Sequence, residues 1–415
     1  MGQHHEPQSL TSFLAGARTF LDANVPRRMD DGGDGSGGGG DRVDLHGLAA
    51  RTPAEEEREV AEARAWQAAR ADAGLGWISG PATYGGAGLP MTYEWAYRDL
   101  EAGYTVPDRT PLIVGLNMVA PTLAVHGTDE VRHRYLPPLH RGDVIACQLF
   151  SEPGAGSDLA AVRTRAVRDG DGWILEGQKV WTSKARFADI GECVARTDES
   201  GPPQHGITVF LVDMRAPGVE IRPLRQISGY ASFNEVFLDG VRVPDDHRLG
   251  TVDDGWSVVR TTLMSERAGV GGGAMSPARR VLERLVALAG ASGRADDPII
   301  RQRLADAYAR VRVNEWSGHR AGDATRAGGP AGPEGSVGKL AHVENLRRMD
   351  ALVTELLGPR LTADTGEADA YAWAEYVLSV PGIRLGGGTD EIQRNVLGEQ
   401  VLGLPREPRG DAWAK

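Results

Sequence analysis

The distribution of strand-forming residues along the chain is the sequence feature that most constrains the fold. Between about residues 146 and 250, segments rich in β-branched and aromatic residues alternate with turns that contain Gly or Pro. Apolar residues at helical spacing, three or four positions apart, occur on both sides of this stretch. The order of helices, strands and helices argues against an alternating βαβ fold such as a Rossmann-type dehydrogenase.

The predicted helices have local start and stop signals. At the first of them, Thr52 is a candidate N-cap, Pro53 suits the first turn, and Gly74 follows the last residue of helical spacing. After the strands, apolar residues at i, i+3 and i+4 predict further helices at residues 281–291, 300–313 and 340–358.

Three segments predict the strands of a compact antiparallel β domain, of the sandwich or barrel type: residues 173–181, 207–214 and 235–244. The chain has 415 residues, more than one hydrophobic core usually organises. We therefore predict an N-terminal helical domain at residues 1–145, the β domain at 146–252 and a C-terminal helical bundle at 253–415.

The Gly-rich residues 31–41 predict a flexible linker near the start of the chain. This segment contains a formal GxGxxG pattern. A dinucleotide-binding fingerprint needs a strand before it and a helix after it, and the sequence predicts neither here.

Composition excludes several classes of protein. The net charge of -11 argues against a nucleic-acid-binding protein. The two cysteines, Cys147 and Cys193, form no paired framework, so we expect a reducing, cytoplasmic location. No apolar run approaches the ~18–20 residues of a membrane span. Residues 1–7 lack the features of a signal peptide, and we expect no metal site.

Three segments carry residues suited to a flat polar ligand, although each also has a structural explanation. The glycines of residues 147–158 let backbone N–H groups approach a ligand, or they form a tight connection into the β domain. In residues 177–183, Trp181 precedes two hydroxyl residues and suits a heteroaromatic ring, or it is a core residue. In residues 386–407, three glycines precede Thr389, which begins either an anion-binding helix or a simply well-capped one.

Together these segments resemble the acyl-CoA dehydrogenase family. The resemblance spans roughly residues 55 to 408, and six stretches match the family's motifs in order: 76–89, 147–166, 177–189, 206–224, 234–244 and 386–395. It implies an α+β fold with an N-terminal helical domain, a central antiparallel β domain and a C-terminal four-helix domain. It also implies FAD, an acyl-CoA substrate, an electron-transferring flavoprotein as acceptor, and a homo-oligomer that is a dimer or tetramer.

The resemblance also assigns roles to individual residues. It implies that FAD is bound by Gln148, Ser151, Gly156, Ser157, Trp181, Thr182, Ser183, Thr389 and Glu391. Within this set, Ser151 faces the pyrimidine edge of the flavin, and Ser183 lies near N5, the atom that receives hydride. On the substrate side it places Ser157, Arg267 and Gly388, with Gly388 touching the thioester.

The general base is the point at which this chain departs from many family members. They carry the proton-abstracting glutamate two residues before the motif threonine, a position that Gly387 occupies here. A smaller group, similar to isovaleryl-CoA and long-chain dehydrogenases, carries it on an early helix of the C-terminal domain. This chain has Glu266 followed by Arg267 at that place. We therefore predict that Glu266 abstracts the α-proton and that Arg267 orients the helix or the substrate; the alternative is a structural Glu-Arg pair.

The resemblance favours dehydrogenation of an acyl-CoA thioester to the trans-2-enoyl-CoA, and two alternatives stay open. One is different flavin chemistry on the same fold, as in an oxidase or a hydroxylase. The other is a silent partner subunit of a hetero-oligomeric dehydrogenase, which Gly387 motivates. The acyl group is not readable from the sequence, because one methylene is worth only about 1–3 kcal/mol in such a pocket. By analogy, a base on the early helix favours branched, long or bulky acyl groups, sterol side chains included.

Overall fold

A computed structural model describes residues 9–28, 52–270, 277–326, 335–363 and 370–406 of the chain. The linker predicted at residues 31–41 lies outside these ranges. The described residues form two compact units that divide within one helix, after Thr262. The second unit also includes residues 226–230.

The first unit begins with five helices: α1 (Leu10–Asn24), α2 (Pro53–Asp72), α3 (Met91–Glu101), α4 (Ala120–His126) and α5 (Asp129–Arg141). The predicted start of α2 is confirmed, because Thr52 and Glu55 each accept a hydrogen bond from the other's backbone N–H. Gly74 ends the helix with a φ of 74°, a conformation that glycine adopts without strain. The sequence patterns did not predict α1, whose buried face contributes Phe13, Ala17 and Leu21 to the core of this region.

The same unit continues with eight described strands: β1 (Ala146–Leu149), β2 (Arg165–Asp169), β3 (Gly172–Ser183), β4 (Ile190–Arg196), β5 (Ile207–Asp213), β6 (Val219–Leu224), β7 (Phe233–Pro244) and β8 (Arg248–Leu249). The predicted strands at 173–181, 207–214 and 235–244 correspond to β3, β5 and β7. The strands form one sheet in the order β6-β7-β3-β2-β4-β5-β8, and β1 pairs with β4.

The sheet is mixed rather than purely antiparallel. β1 runs parallel to β4 over four residue pairs, and β2 runs parallel to β4 at a single pair. The sequence analysis predicted an antiparallel domain because tight turns join its neighbouring strands. A parallel pair needs a long connection instead, and here β2 and β3 lie between β1 and β4 along the chain.

Helix α6 (Gly255–Val270) leads into the second unit. That unit contains α7 (Pro277–Ala291), α8 (Pro298–Arg326), α9 (Gly335–Leu357), α10 (Ala370–Ile383) and α11 (Asp390–Val396). The predicted helices at 281–291, 300–313 and 340–358 correspond to α7, α8 and α9, and α8 is about twice as long as predicted. Apolar residues of α7 to α10 form one core, which includes Leu285, Leu346, Val353, Trp373 and Tyr376.

A buried acid joins three elements of the first unit. Glu192 of β4 is fully buried, and one of its carboxyl oxygens accepts a hydrogen bond of 2.7 Å from the hydroxyl of Thr262 on α6. The hydroxyls of Thr262 and Thr122, on α4, lie 2.9 Å apart. Burial raises the pKa of Glu192 to about 8, and the bond from Thr262 opposes this only in part. Glu192 is therefore largely neutral at pH 7, as a buried carboxyl without a cationic partner must be.

The close approach of Thr164 requires a glycine at position 177 of β3. A methyl group at this position would lie 2.5 Å from Oγ1 and 2.7 Å from Cα of Thr164. We expect Gly177→Ala to lower the free energy of unfolding by about 1–3 kcal/mol, because the sheet must shift to relieve the overlap. Gly16→Ala is the matched control: it is exposed on α1 with open space around it, and should stabilise by about 0.5–1 kcal/mol. Urea unfolding of both variants checks this, and equal effects would contradict it.

Glu192 predicts a pH-dependent difference in stability. Its folded pKa of about 8 exceeds its ordinary value of 4.5, so its contribution to stability is full below about pH 4.5 and is lost as the pH rises towards 8. We expect the stability of Glu192→Gln relative to the parent to increase across this window, by at most about 1.4 kcal/mol per pH unit. The measurement is urea unfolding at several pH values. Glu176→Gln, on an exposed position of β3, is the control and should show no comparable trend. A constant difference for Glu192→Gln would refute the assignment.

Candidate functional site

The Gly-rich loop after β1 is held to the sheet by a buried ion pair. Lys179 of β3 is fully buried, and its ammonium group donates to the carboxylate of Glu152 at 2.7 Å. It also donates to the carbonyl oxygens of Phe150 at 3.1 Å and Val194 at 2.7 Å. The ammonium group therefore has a partner for each of its three protons.

Glu152 extends this attachment to the far end of the loop. Its carboxylate accepts hydrogen bonds from the backbone N–H groups of Arg163 at 2.7 Å and Thr164 at 2.9 Å. Burial raises the pKa of Glu152, but the charge and hydrogen bond of Lys179 and the other bonds outweigh burial, so the net pKa is lowered. The carboxylate is ionised at neutral pH and closes the loop between residues 152 and 164.

The turn inside this loop is narrow and faces open space. The backbones of Glu152 and Ala155 exchange two hydrogen bonds, of 2.8 and 3.1 Å. A methyl group at Gly154 or Gly156 would meet no protein atom within 4 Å. Protein packing therefore does not require these glycines, which fits a surface that a ligand approaches closely. Ser157 is exposed beside Gly156, and Ser151 is half-buried at the start of the turn.

Trp181 lies on the surface in a left-handed backbone conformation. The pairing of β3 with β7 shifts register between Lys179 and Thr182, and Trp181 occupies this irregularity with a φ of 59°. Its side chain is 55% exposed, so the alternative that Trp181 is a core residue is wrong. A bulky residue with positive φ is strained, and such residues cluster at binding and catalytic sites. The backbone N–H of Val180 donates to the carbonyl of Ser151 at 2.9 Å, which ties this strand to the loop.

Two buried polar atoms of the predicted cofactor-binding residues have no hydrogen-bond partner. One is Nε2 of Gln148 on β1, and the other is Oγ1 of Thr182, which follows Trp181 on β3. Buried donors are almost always satisfied in native proteins, so an unsatisfied amide marks a place where a ligand acceptor fits. An exposed indole, an open glycine turn and an unsatisfied amide suit the flat ring with polar edges that the family resemblance implies. Ser183 completes this set as a half-buried hydroxyl at the end of β3.

A second group of predicted residues lies around the start of α11, in the other unit. The predicted cap is confirmed, because Oγ1 of Thr389 accepts a hydrogen bond from the backbone N–H of Ile392 at 3.3 Å. Gly387 and Gly388 precede it with φ of 65° and 86°. The side-chain amide of Gln393 donates to the carbonyl of Gly387 at 2.6 Å, which closes a turn that only glycines adopt readily.

The acids at the start of α11 have different surroundings. Asp390 is buried and accepts two hydrogen bonds from the guanidinium of Arg384, at 2.7 and 2.9 Å. Glu391 is exposed, and its own backbone N–H, followed by the Thr389 hydroxyl, lowers the pKa of its carboxyl. Asp390 is therefore committed to a structural pair, and Glu391 is an ordinary exposed carboxylate.

Glu266 lies near the same turn. Lys339 of α9 donates to the carbonyl oxygens of Gly388 and Arg384, and the charge of Glu266 acts on this ammonium group. Glu266 is half-buried on α6. Its carboxylate is thus within electrostatic reach of the turn that holds Gly387, where many family members carry their base. Arg267 belongs to α6, but its side chain lies outside the described residues.

The structure groups the predicted residues into two sets. Gln148, Ser151, Gly156, Ser157, Trp181, Thr182 and Ser183 belong to the first unit; Glu266, Arg267, Gly388, Thr389 and Glu391 belong to the second. Sequence reasoning missed Glu152, Lys179 and Lys339, which hold these sets in place. Lys179 stands between Gln178 and Val180, and nothing in this local pattern signals that its side chain is fully buried. In the part of the chain that the structure describes, no cluster of metal-ligating side chains occurs, and no helix could cross a membrane.

Comparison with known proteins matches three successive parts of the chain to one family. Models of the acyl-CoA dehydrogenase N-terminal, middle and C-terminal domains match residues 47–143, 147–241 and 253–402. The chain is 38% identical over 365 residues to the acyl-CoA dehydrogenase IpdE1 of Mycobacterium tuberculosis, covering 86% of this chain and 92% of that protein.

Two further relatives differ in how much of their own length is matched. FadE34, an acyl-CoA dehydrogenase of M. tuberculosis, is 39% identical over 95% of this chain, which spans only about half (53%) of that protein. The solved structure titled Tcur3481-Tcur3483 steroid ACAD is 27% identical with a TM-score of 0.71, covering 97% of this chain and 99% of that one. The three domain matches in order, together with the 38% identity to IpdE1 over 86% of the chain, show that the chain is an oxidoreductase of the acyl-CoA dehydrogenase family.

Proposed function

We propose that this chain catalyses the FAD-dependent α,β-dehydrogenation of an acyl-CoA thioester to the trans-2-enoyl-CoA, with Glu266 as the general base. The observation that carries the proposal is the position of Glu266. Its charge acts on Lys339, whose ammonium group binds the carbonyl of Gly388 in the turn where the resemblance places the thioester.

The burial of Glu266, compared with that of the nearby acids, supports its role. Three carboxylates act electrostatically on Lys339: Asp390, Glu266 and Glu391. Asp390 is held by Arg384, and Glu391 is exposed at the start of α11. Gly387 has no side chain with which to accept a proton. Glu266 is half-buried, and partial exclusion of water suits a base that must remove a weakly acidic C–H proton.

The residues on the sheet fit a cofactor role. Gln148 would give its unsatisfied amide to a ring acceptor, Ser151 and Ser183 would offer hydroxyls, and Trp181 would shield one side of the ring. Gly156 and Ser157 would line the open turn, and Thr182, Thr389 and Glu391 complete the predicted set. When bound, FAD accepts the β-hydrogen of the substrate as hydride. The protein's part is to hold the thioester so that the α-proton faces Glu266.

For the substrate, a bulky acyl group is the class best supported. The base on an early helix favours branched, long or sterol-derived acyl groups by analogy, and a similar solved structure is titled a steroid ACAD. Ser157, Arg267 and Gly388 are the proposed substrate contacts. Anaerobic flavin bleaching with isovaleryl-CoA, palmitoyl-CoA and a sterol side-chain acyl-CoA would rank these classes, and fastest bleaching by the last would support the proposal.

A homo-oligomer, with an electron-transferring flavoprotein as acceptor, is the assembly we propose, and a cytoplasmic location stays a prediction. A silent subunit of a hetero-oligomer is the second candidate, favoured by Gly387. Flavin content per chain and activity of the chain expressed alone separate these two. Rapid reoxidation of the reduced flavin by oxygen would instead favour oxidase or hydroxylase chemistry.

Glu266→Gln tests the proposed base directly. We expect this variant to bind FAD as the parent does and to lose flavin reduction by the best thioester of the panel by at least about 10³-fold, because an amide cannot accept the α-proton. Anaerobic stopped-flow absorbance measures both properties. Glu283→Gln, an exposed acid on α7, is the matched control and should reduce its flavin at the parental rate. Parental reduction by Glu266→Gln would remove Glu266 from this role.

Trp181 tests the cofactor surface. Trp181→Ala should weaken FAD binding to the apoprotein by about 3–10-fold, the value of one aromatic contact, and Trp181→Phe by less. Fluorescence titration of the apoprotein with FAD gives the dissociation constants. Trp316→Ala removes an equally exposed tryptophan, 56% exposed on α8, and should leave FAD affinity unchanged. Unchanged affinity in Trp181→Ala would contradict the proposed surface.

A further inference from the structure

Lys339 is a buried cation whose hydrogen bonds converge on one turn. The residue lies on α9 and is 5% exposed. Its ammonium group donates to the carbonyl oxygen of Arg384 at 3.2 Å, near the end of α10, and more closely to that of Gly388, just before α11. It thus bridges the two ends of the glycine turn, residues 386–388, from a third helix.

Four charged groups act on Lys339 electrostatically. Asp390 and Glu391 belong to α11, Glu266 belongs to α6, and Arg384 directly follows α10. Burial lowers the pKa of Lys339, and Arg384 adds to this, while Asp390, Glu266 and Glu391 oppose it. Arg384 and Asp390 neutralise one another through two hydrogen bonds. Lys339 is thus a cation fixed by carbonyl groups, and the charge of Glu266 acts on it.

We propose that Lys339 is a positioning residue of the dehydrogenation site, which fixes the glycine turn for the thioester and keeps Glu266 in its anionic, proton-accepting form. The inference rests on the proposed role of Glu266. In the reaction, the α C–H bond breaks, its proton passes to the Glu266 carboxylate, and its electron pair forms the new double bond as the β-hydrogen leaves as hydride. Lys339 takes part in none of these bond changes.

Substitutions of Lys339 can separate its two proposed effects, which are the effect of its charge on Glu266 and its hydrogen bond to Gly388. A fixed cation beside a carboxylate favours the carboxylate, so without it the base becomes protonated at higher pH. A hydrogen-bond donor to Gly388, by contrast, needs no charge. Lys339→Met removes both charge and donor, Lys339→Gln keeps a donor, and Lys339→Arg keeps the charge. Arg348→Met, on an exposed position of the same helix, removes a cation elsewhere.

The experiment is the pH profile of anaerobic flavin reduction in the FAD-loaded protein, with whichever member of the three-thioester panel bleaches the flavin fastest. We expect the acid limb of the rate profile to move up by about one pH unit in Lys339→Met and Lys339→Gln, which makes reduction about tenfold slower on that limb. Lys339→Arg should restore it towards the parent, and Arg348→Met should not move it. Thioester affinity should fall in Lys339→Met but much less in Lys339→Gln.

Different outcomes separate this inference from the function it rests on. If Glu266→Gln abolishes flavin reduction but the acid limb stays in place in both Lys339→Met and Lys339→Gln, Lys339 is only structural and the inference fails alone. If Glu266→Gln reduces its flavin normally, or no panel member bleaches the parent, the proposed function fails first and the inference with it. Should Lys339→Met not fold, the profile of Lys339→Gln decides.

Discussion

The buried ion pair between Glu152 and Lys179 is the interaction on which the sheet side of the candidate site depends. One ammonium group binds both the loop and β4, and the carboxylate of Glu152, at the start of the loop, binds the backbone at its far end. Removing one partner of such a pair costs about 3–5 kcal/mol, because the other charge is left buried. The pair therefore acts as a fixed point, from which Ser151, Gly156 and Ser157 reach the surface in one defined arrangement.

In contrast to this ionised pair, the buried acid Glu192 on β4 is largely neutral at pH 7. Glu192 pairs in register with Gln148 across β4 and β1, so both side chains leave the same face of the sheet. An ionised Glu192 would place an uncompensated charge beside the proposed flavin-binding amide. Its raised pKa keeps it neutral at pH 7, and Thr262 and Thr122 complete a hydroxyl chain that links β4 to α4 and α6. Glu192 therefore adds little buried charge beside Gln148 at pH 7.

The features that the sequence predicted correctly are those that depend on nearby residues. The caps at Thr52 and Thr389 follow from contacts within four positions, and β3, β5 and β7 follow from their alternation. The exposure of Trp181 was not predictable, because it arises from a register shift against β7, about 55 residues away in the sequence. The parallel pairing of β1 with β4 and the bonds of Lys339 to the glycine turn are also contacts between distant segments.

The candidate site, too, could be predicted from the sequence only in part. The family motifs predicted residues that bind the ligand, whereas the residues that hold them in place, Glu152, Lys179 and Lys339, required the structure. Gly387 is the exception, because an absent side chain is visible in the sequence. The missing carboxylate at this position led to the prediction of Glu266, whose charge acts on Lys339, the cation that binds the turn at Gly388.

The most direct test of the account is one distance in a crystal structure of the FAD-loaded protein with a bound, unreactive acyl-CoA analogue. The account predicts that a carboxylate oxygen of Glu266 lies about 3–3.5 Å from the α-carbon of the thioester. A Glu266 side chain that points into solvent, in a cavity with no other acid near the α-carbon, would contradict it.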